Sequence, residues 1–245
     1  MAGETDEADR NDGDDVVRND DLRSFGRRRG RKLSERQDKL VAELLPRVRL
    51  SLRKLDDDAA VRGQFSNAPS EIWLEIGFGG GEHLVHQAAS NPNIGIIGCE
   101  PFVDGVVKVL AHIAHDSIGN IRLHDDDARA VLKALPDASI SRVFVLFPDP
   151  WPKRKHQKRR LVNHALLAQI ARVLVPGGEL RLGTDIADYA RTMLMALQGE
   201  PRLVWTAQGP DDWRIRPADW PRTRYEAKAE REGRRSCYLL IRRAG

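Results

Sequence analysis

The sequence predicts an α/β fold, a doubly wound sheet with helices on both faces, and three observations carry this prediction. Short apolar runs suited to buried strands alternate with one-sided helical patterns from residue 72 onward. The runs at 72–76 and 94–99 enclose a glycine-rich turn and a helical stretch, which together make one βαβ unit. Acidic residues follow successive strands, where a doubly wound sheet opens its ligand-binding crevice.

The chain divides into three predicted regions. Residues 1–21 hold nine acidic residues against two arginines and have few apolar residues, which predicts a disordered acidic tail. Residues 22–52 are predicted to form a basic arm and an N-terminal helix, and the arm contains RRRGRK at 27–32, a run that suits phosphate contacts. Ser34 caps the helix, which extends to about residue 45 with its leucines on one face. Residues 53–245 are predicted to form the α/β domain.

Within that domain each element has its own pattern. Residues 53–70 are predicted to be a loop because they contain three consecutive aspartates, Gly63 and Pro69. Apolar runs predict further strands at 121–123, 142–147, 179–183, 203–206 and 237–242. Apolar residues at helical spacing predict helices at 82–89, 102–115, 128–134, 158–174 and 185–197.

Composition excludes several classes of protein. The 245 residues are 41% hydrophobic, which is enough for a core, but no apolar run approaches the roughly 20 residues of a membrane-spanning helix. The N-terminus has no apolar signal region, so we expect a cytoplasmic protein. The two cysteines are expected to be unpaired core thiols. Because the tail is so acidic, the net charge of +4 conceals a strongly basic body, which suggests a polyanionic partner.

The glycine-rich turn predicts a nucleotide-cofactor pocket. Gly77, Gly79 and Gly81 would let the backbone approach a ligand closely. Glu100 follows about 20 residues later, where a carboxylate can accept hydrogen bonds from ribose hydroxyls. Glu75 stands two residues before the first glycine, and its charge would repel a pyrophosphate but favour the amino group and sulfonium of S-adenosylmethionine. The pattern therefore favours S-adenosylmethionine over a dinucleotide.

The segment at 147–160, FPDPWPKRKHQKRR, carries the most specific chemistry. Three prolines would hold Asp149 and Trp151 on a rigid platform just past a strand. An acid and an aromatic ring beside a dense cationic patch suit an enzyme that modifies a nucleic-acid base. The side chains predicted to contact RNA phosphates are Arg154, Lys155, Lys158, Arg159 and Arg160. The alternative, a solvated basic helix start, is less favoured because cations there oppose the helix dipole.

Several motifs together resemble the bacterial tRNA (guanine-N7-)-methyltransferase family. They are the EIGFGGG loop, the GCEPF turn, the segment at 147–160, GTD at 183–185 and TRYE at 223–226. The resemblance covers roughly residues 25–243. It implies a Rossmann-like class I methyltransferase fold, S-adenosylmethionine as methyl donor, and a guanine in the tRNA variable loop as the base converted to 7-methylguanosine.

The resemblance also implies roles for individual residues. Matching motifs place Glu75, Glu100, Asp127 and Asp149 in the cofactor pocket with the loop glycines, and make Asp149 the catalytic residue. The matching substrate-binding positions are Lys153, Asp185, Thr223, Arg224, Tyr225 and Glu226. The sequence departs from the family at Lys155, where the family usually has arginine, so the bidentate fork of a guanidinium is lost there.

The expected reaction, methyl transfer to N7 of guanine, determines which further groups the site requires. N7 of guanine carries a lone pair and no proton, so methyl transfer to it needs neither a general base nor a metal ion. The pairs His83/His86 and His112/His115 lack clustered cysteine or carboxylate partners, so no metal site is expected.

Other functions remain open from the sequence. They are an NAD-dependent or nucleotide-sugar enzyme, a methyltransferase with another substrate, and a non-catalytic RNA-binding protein on a methyltransferase fold. We expect a monomer that binds tRNA and does not bind a membrane.

Overall fold

The structure is a computed structural model that describes residues 28–245. The predicted acidic tail, and the basic arm up to residue 27, lie outside the described residues. Seven strands of the described chain form one sheet. They are β1 (Glu71–Ile76), β2 (Ile94–Cys99), β3 (Ile121–His124), β4 (Ile140–Leu146), β5 (Leu174–Thr184), β6 (Leu203–Trp205) and β7 (Cys237–Arg243).

The strand order is β3-β2-β1-β4-β5-β7-β6. The first five strands of that order are parallel, and β7 lies antiparallel between β5 and β6. Chain order reverses between β1 and β4, which is the switch point where a doubly wound sheet opens its crevice.

Helices cover both faces of the sheet, as predicted. They are α1 (Glu35–Glu43), α2 (Leu45–Val48), α3 (Asp58–Arg62), α4 (Glu82–Ser90), α5 (Val103–Asp116), α6 (Ala128–Ala134), α7 (His164–Val173), α8 (Ala187–Gln198), α9 (Asp211–Arg214) and α10 (Arg224–Arg231). One apolar core lies between the sheet and α6, α7 and α8. A second lies on the opposite face, beneath α2, α4 and α5. None of these helices is long and apolar enough to cross a membrane.

The N-terminal helix begins where its capping residue predicts. Ser34 Oγ accepts a hydrogen bond from the Gln37 backbone N–H at 3.4 Å, and Gln37 Oε1 accepts one from the Ser34 N–H at 2.9 Å. This reciprocal pair is a capping box, which satisfies two of the free N–H groups at the start of α1. The helix packs against α5 and so belongs to the same face of the domain.

Three element predictions are wrong, and one of them is the strand predicted over 179–183, which begins at Leu174 as β5. The helix predicted over 158–174 begins only at His164, because Asn163 Oδ1 accepts the Leu166 N–H at 3.0 Å and caps α7 there. The basic residues before it form a separate 3₁₀ turn, Arg154–Arg159, so they do not stand at the N-terminus of the long helix. Residues 53–70 are also not wholly a loop, since Asp57 caps the short α3 within them.

The helix α10 and the short α9 are missing from the sequence prediction. For α10 the reason is its exposure. Only Glu226 and Ala229 of this helix are buried, so it has almost no apolar stripe from which a helical period could be recognised.

Candidate active site

The glycine loop at the carboxyl end of β1 needs backbone conformations that side chains rarely adopt. Gly77, Gly79 and Gly81 have φ values of 74°, 55° and 82°. A Cβ on Gly77 would enter open space, whereas one on Gly81 would lie 2.2 Å from Val109 Cγ2. The loop therefore packs tightly against α5 on one side and offers bare backbone to the crevice at Gly77.

Sequence reasoning missed a fourth important glycine, Gly105, in the first turn of α5. A Cβ on Gly105 would lie 2.1 Å from the carbonyl oxygen of Gly79. The helix can approach the loop this closely only without a side chain at that position. The sequence did contain an indication of this contact, since Gly105 stands inside an apolar helical pattern. Glycine lowers the stability of a helix interior, so its presence there suggests a close packing contact.

Glu100 closes the crevice at the end of β2. Its side chain is buried and accepts hydrogen bonds from the Gly79 N–H at 2.8 Å and the Phe102 N–H at 2.9 Å. Burial raises the pKa of this carboxyl, and the nearby charge of Asp149 raises it further, against the lowering effect of the two backbone donors and of Arg224. Asp149 and Arg224 therefore both lie close enough to Glu100 to act on its charge.

Asp149 is the exposed carboxylate of the site. Among residues 28–245 it has no hydrogen-bond or ion-pair partner. Phe147 and Trp151, two positions to either side, both have left-handed backbone, with φ of 50° and 41°. Non-glycine residues in this conformation cost energy and persist only where surrounding contacts enforce them. One such contact is the hydrogen bond from the Phe147 N–H to the Gly183 carbonyl at 2.7 Å.

Four cations stand exposed just beyond this platform, namely Lys153, Arg154, Lys155 and Lys158. None of the four forms an ion pair with an acidic residue of the described chain, so all four are available to external anions. Arg159 is half-buried, and its guanidinium lies 4.9 Å above the Trp151 ring.

The predicted phosphate contact by Arg160 does not fit its position. Arg160 is only 3% exposed. Its guanidinium pairs with Asp188, donates to the Pro150 carbonyl at 3.0 Å, and lies 4.9 Å above the Tyr189 ring. Arg160 therefore ties the platform to α8, and residue type alone could not distinguish it from its exposed neighbours.

The TRYE segment divides into two supporting residues and two exposed ones. Thr223 is buried and caps α10, with its hydroxyl accepting the Glu226 N–H at 3.3 Å. Glu226 is buried and accepts a hydrogen bond from the Tyr238 hydroxyl. Tyr225 is 43% exposed, and its ring covers the glycine loop, 3.0 Å from where a Cβ of Gly79 would stand. Arg224 is also exposed, with its Nε 3.5 Å from Glu82 Oε1.

Two other predicted site residues are paired within the described chain. Asp127 caps α6 and forms an ion pair with Arg129 at 2.7 Å. Burial raises the pKa of the Asp127 carboxyl, but the hydrogen bonds from Arg129 outweigh it and the net pKa is lowered. Asp185 accepts a hydrogen bond from Arg234 Nε at 2.6 Å.

Glu75, at the end of β1, is buried and lines a narrow cleft with Gly77, His83, Phe147, Thr223 and Tyr225. The structure thus brings the glycine loop, Glu75, the platform and α10 to one edge of the sheet. Within residues 28–245 no three histidine, cysteine or acidic side chains are grouped so that they could hold a metal ion.

Comparisons with known proteins agree on the kind of enzyme. The family described as "Putative methyltransferase" matches residues 69–239. Among solved structures, the 16S rRNA methyltransferase KamB superposes with a TM-score of 0.53 at 15% identity, over 77% of this chain and 94% of that one. A structure described as an antibiotic-related methyltransferase gives a TM-score of 0.50 at 16% identity, over 80% of this chain and 96% of that one. At these identities the likeness establishes the fold alone, a Rossmann-like methyltransferase fold.

Curated relatives are much closer in sequence. A protein of Rhodospirillum rubrum named tRNA (guanine-N(7)-)-methyltransferase is 50% identical over 226 residues, which cover 91% of this chain and 89% of the relative. A protein of the same name from Rhizobium meliloti is 49% identical over 220 residues, covering 90% of this chain and 94% of the relative. Identity at this level, over nearly the full length of both partners, places the chain in the tRNA (guanine-N7-)-methyltransferase family.

Proposed function

We propose that this protein transfers a methyl group from S-adenosylmethionine to N7 of a guanine in the variable loop of tRNA and so forms 7-methylguanosine. The observation that carries the proposal is the position of Asp149. Its carboxylate is exposed and unpaired within the described chain, and it lies near Glu100 at the crevice. The four exposed cations begin four residues later, at Lys153. The names of the close relatives support the same reaction.

The described residues fit S-adenosylmethionine better than a dinucleotide. Open space at Gly77 leaves room for a ligand against bare backbone. Buried Glu75 lines the same cleft as Gly77, and buried Glu100 accepts a hydrogen bond from the Gly79 N–H of the same loop. Carboxylates at these positions would repel a pyrophosphate but attract an ammonium group and ribose hydroxyls. Glu75, Glu100 and the loop backbone would hold the cofactor. When bound, it supplies an electrophilic methyl group on a positively charged sulfur, which unprotonated N7 can accept without a base.

The residues of the chain have mainly electrostatic and orienting tasks in this reaction. Methylation at N7 places positive charge on the imidazole ring of guanine. Asp149 is exposed beside the crevice, so we assign it the roles of holding the base edge and stabilising that charge. Left-handed backbone on both sides of Asp149 fixes the platform before the base arrives, which reduces the reorganisation that the reaction requires.

The four exposed cations Lys153, Arg154, Lys155 and Lys158 would bind RNA phosphates while a single base enters the crevice. Tyr225 lines the cleft from α10, and Arg224 is exposed beside it near Glu82. An aromatic ring and a guanidinium plane at these positions suit stacking on an unpaired base. Thr223 and Glu226 act indirectly, since both are buried and fix the start of α10.

The direct test is methyl transfer from labelled S-adenosylmethionine to an unmodified tRNA transcript, followed by nucleoside analysis by mass spectrometry. The proposal predicts 7-methylguanosine as the product. Tight tRNA binding without methyl transfer would favour the alternative of a non-catalytic RNA-binding protein.

Arg160 and Lys158 should respond oppositely to replacement by alanine. Arg160→Ala should lower the free energy of unfolding by about 2 kcal/mol, because it removes charged hydrogen bonds between the platform and α8. Lys158→Ala should leave stability within about 0.5 kcal/mol but weaken tRNA binding and reduce its salt slope by about 1. Thermal unfolding and filter binding at several salt concentrations measure both effects. An unchanged salt slope in Lys158→Ala would remove that residue from the RNA interface.

Cofactor affinity should fall as the pH is lowered toward and through the raised pKa of Glu100. Because burial raises the pKa of Glu100, this carboxyl takes up a proton at a higher pH than an ordinary glutamate and then loses acceptor capacity for ribose hydroxyls. Calorimetric titration with S-adenosylhomocysteine at several pH values measures the effect. Glu100→Gln should bind more weakly and with a flatter pH dependence, and an equally steep dependence in that variant would assign the titration to another group.

The raised pKa of Glu100 gives the free energy of unfolding a pH dependence opposite to that of cofactor binding. A raised pKa in the folded state means that folding favours the protonated carboxyl. The ligand-free protein should therefore lose the stability contributed by this group as the pH rises through its folded pKa. Cofactor binding thus requires the ionised carboxylate of Glu100, whereas folding favours its protonated form.

A further inference from the structure

A chain of buried hydrogen bonds runs from Glu75 to the turn that precedes α10. Glu75 Oε2 accepts from His83 Nδ1 at 2.7 Å, and His83 Nε2 accepts from Gln87 Nε2 at 3.2 Å. Gln87 Nε2 also donates to the backbone carbonyl of Asp219 at 2.6 Å. All three side chains are nearly inaccessible to solvent. None of the motifs that define the site includes His83 or Gln87.

The Asp219 carbonyl determines which atoms donate and which accept along this chain of hydrogen bonds. It can only accept, so the Gln87 amide must turn its NH₂ group toward it. The same NH₂ group then faces His83 Nε2, which must accept and therefore carries no proton. The remaining proton of a neutral imidazole lies on Nδ1 and is donated to Glu75. The arrangement specifies a His83 ring that accepts at Nε2 and donates one hydrogen bond from Nδ1 to Glu75 Oε2.

The surroundings of His83 hold its ring in place. The ring packs edge to face against Phe144, with centroids 4.6 Å apart, and against Trp220, with centroids 5.9 Å apart. The Asp219 side chain is itself anchored, since it accepts from Arg181 Nη1 at 2.6 Å. These contacts hold the His83 ring in one orientation, in which Nδ1 is directed at Glu75.

The chain of hydrogen bonds uses only one oxygen of Glu75, namely Oε2. Glu75 Oε1 accepts no hydrogen bond from residues 28–245, and Glu75 lines the cleft beside Gly77. A carboxylate held through Oε2 presents Oε1 in a fixed direction to a ligand in that cleft.

We propose that His83 is a positioning residue, which orients the Glu75 carboxylate toward the ammonium group of S-adenosylmethionine and is itself oriented by Gln87. The inference rests on the proposed function only for the identity of the cofactor. His83 also lines this cleft, and the role assigned to it is exerted through its hydrogen bond to Glu75.

Four variants and one control test this role by calorimetric titration with S-adenosylhomocysteine. His83→Leu removes the donor and should weaken binding about tenfold. His83→Asn places an amide nitrogen near the position of Nδ1 and should keep affinity within about twofold. His86→Leu replaces an exposed histidine of the same helix and should behave as wild type. A double variant, His83→Leu with Glu75→Gln, should bind no more weakly than Glu75→Gln alone, because His83 acts through Glu75.

Two results would overturn the assignment of His83 while leaving the proposed function intact. One is equal loss of affinity in His83→Asn and His83→Leu with a matching fall in thermal stability, which would indicate a packing role only. The other is a double variant whose loss is the product of the two single losses. Wild-type protein that binds no S-adenosylhomocysteine would overturn the cofactor assignment and this inference with it. Wild-type protein that binds it without methylating tRNA would overturn only the RNA part of the proposed function, since the binding assay contains no RNA.

Discussion

Asp149→Ala should lower kcat for methyl transfer to tRNA by about 10²–10³-fold. Asp149 is the exposed, unpaired carboxylate beside the crevice, and positive charge develops on the guanine ring as N7 is methylated. A fixed negative charge at that point stabilises the transition state more than the ground state, so its loss lowers kcat rather than raising KM for tRNA. Stability should be nearly unchanged, because no hydrogen bond within the described chain is broken. Single-turnover methyl transfer with enzyme in excess over tRNA measures the effect on the chemical step.

Two further variants make the Asp149 prediction specific. Asp149→Asn keeps the shape and a hydrogen-bonding oxygen but removes the charge, and it should lie between alanine and wild type if electrostatic stabilisation dominates. Asp211→Ala removes another exposed carboxylate, on α9, and should leave kcat within about twofold. Near-wild-type kcat in Asp149→Ala would remove this residue from the mechanism.

Gly105→Ala should both destabilise the protein and weaken cofactor binding. Replacing glycine by alanine inside a helix ordinarily stabilises it by about 1 kcal/mol. Here the added Cβ would stand 2.1 Å from the Gly79 carbonyl oxygen, a backbone atom that cannot rotate away. Either α5 or the glycine loop must shift, which we expect to cost about 1–3 kcal/mol in unfolding free energy. The same shift would misplace the loop backbone at Gly77 and reduce affinity for S-adenosylhomocysteine by more than about tenfold.

The matched control for Gly105 is Gly119→Ala, where an added Cβ would meet nothing within 4 Å. Its stability should stay within about 0.5 kcal/mol of wild type. Thermal unfolding and calorimetric titration of both variants provide the comparison. If Gly105→Ala proved more stable than wild type, helix propensity would outweigh the contact with Gly79 and the close approach would have no structural importance.

Local patterns predicted most of the sheet because buried parallel strands are short, apolar and bounded by turns. The strand at 94–99 and the helices after Ser34 and Asp127 occur where those patterns place them. The errors occur where a local competitor or a polar surface obscures the pattern. Asn163 starts α7 six residues later than its amphipathic spacing predicts, and α10 has too few buried residues to show a period.

The site could be predicted only as far as residue type reveals position. Glycines and acids at strand ends indicated the crevice, because parallel strands bring their carboxyl ends to one edge. Arg160 could not be distinguished from Lys158, since burial against α8 depends on contacts 28 residues away. Gly105 and His83 likewise owe their importance to Gly79 and Glu75, which are separated from them in sequence and joined to them only by the fold.

The acceptor atom in the proposed reaction is N7 of one guanine in tRNA. The most direct test of this assignment uses two tRNAs assembled from synthetic fragments, one with guanosine and one with 7-deazaguanosine at the methylated position of the variable loop. The second lacks only the N7 lone pair, so both should bind with similar affinity. We predict label from S-adenosylmethionine in the first, recovered as 7-methylguanosine, and none in the second. Equal labelling of both tRNAs would contradict the assignment of N7 as the acceptor.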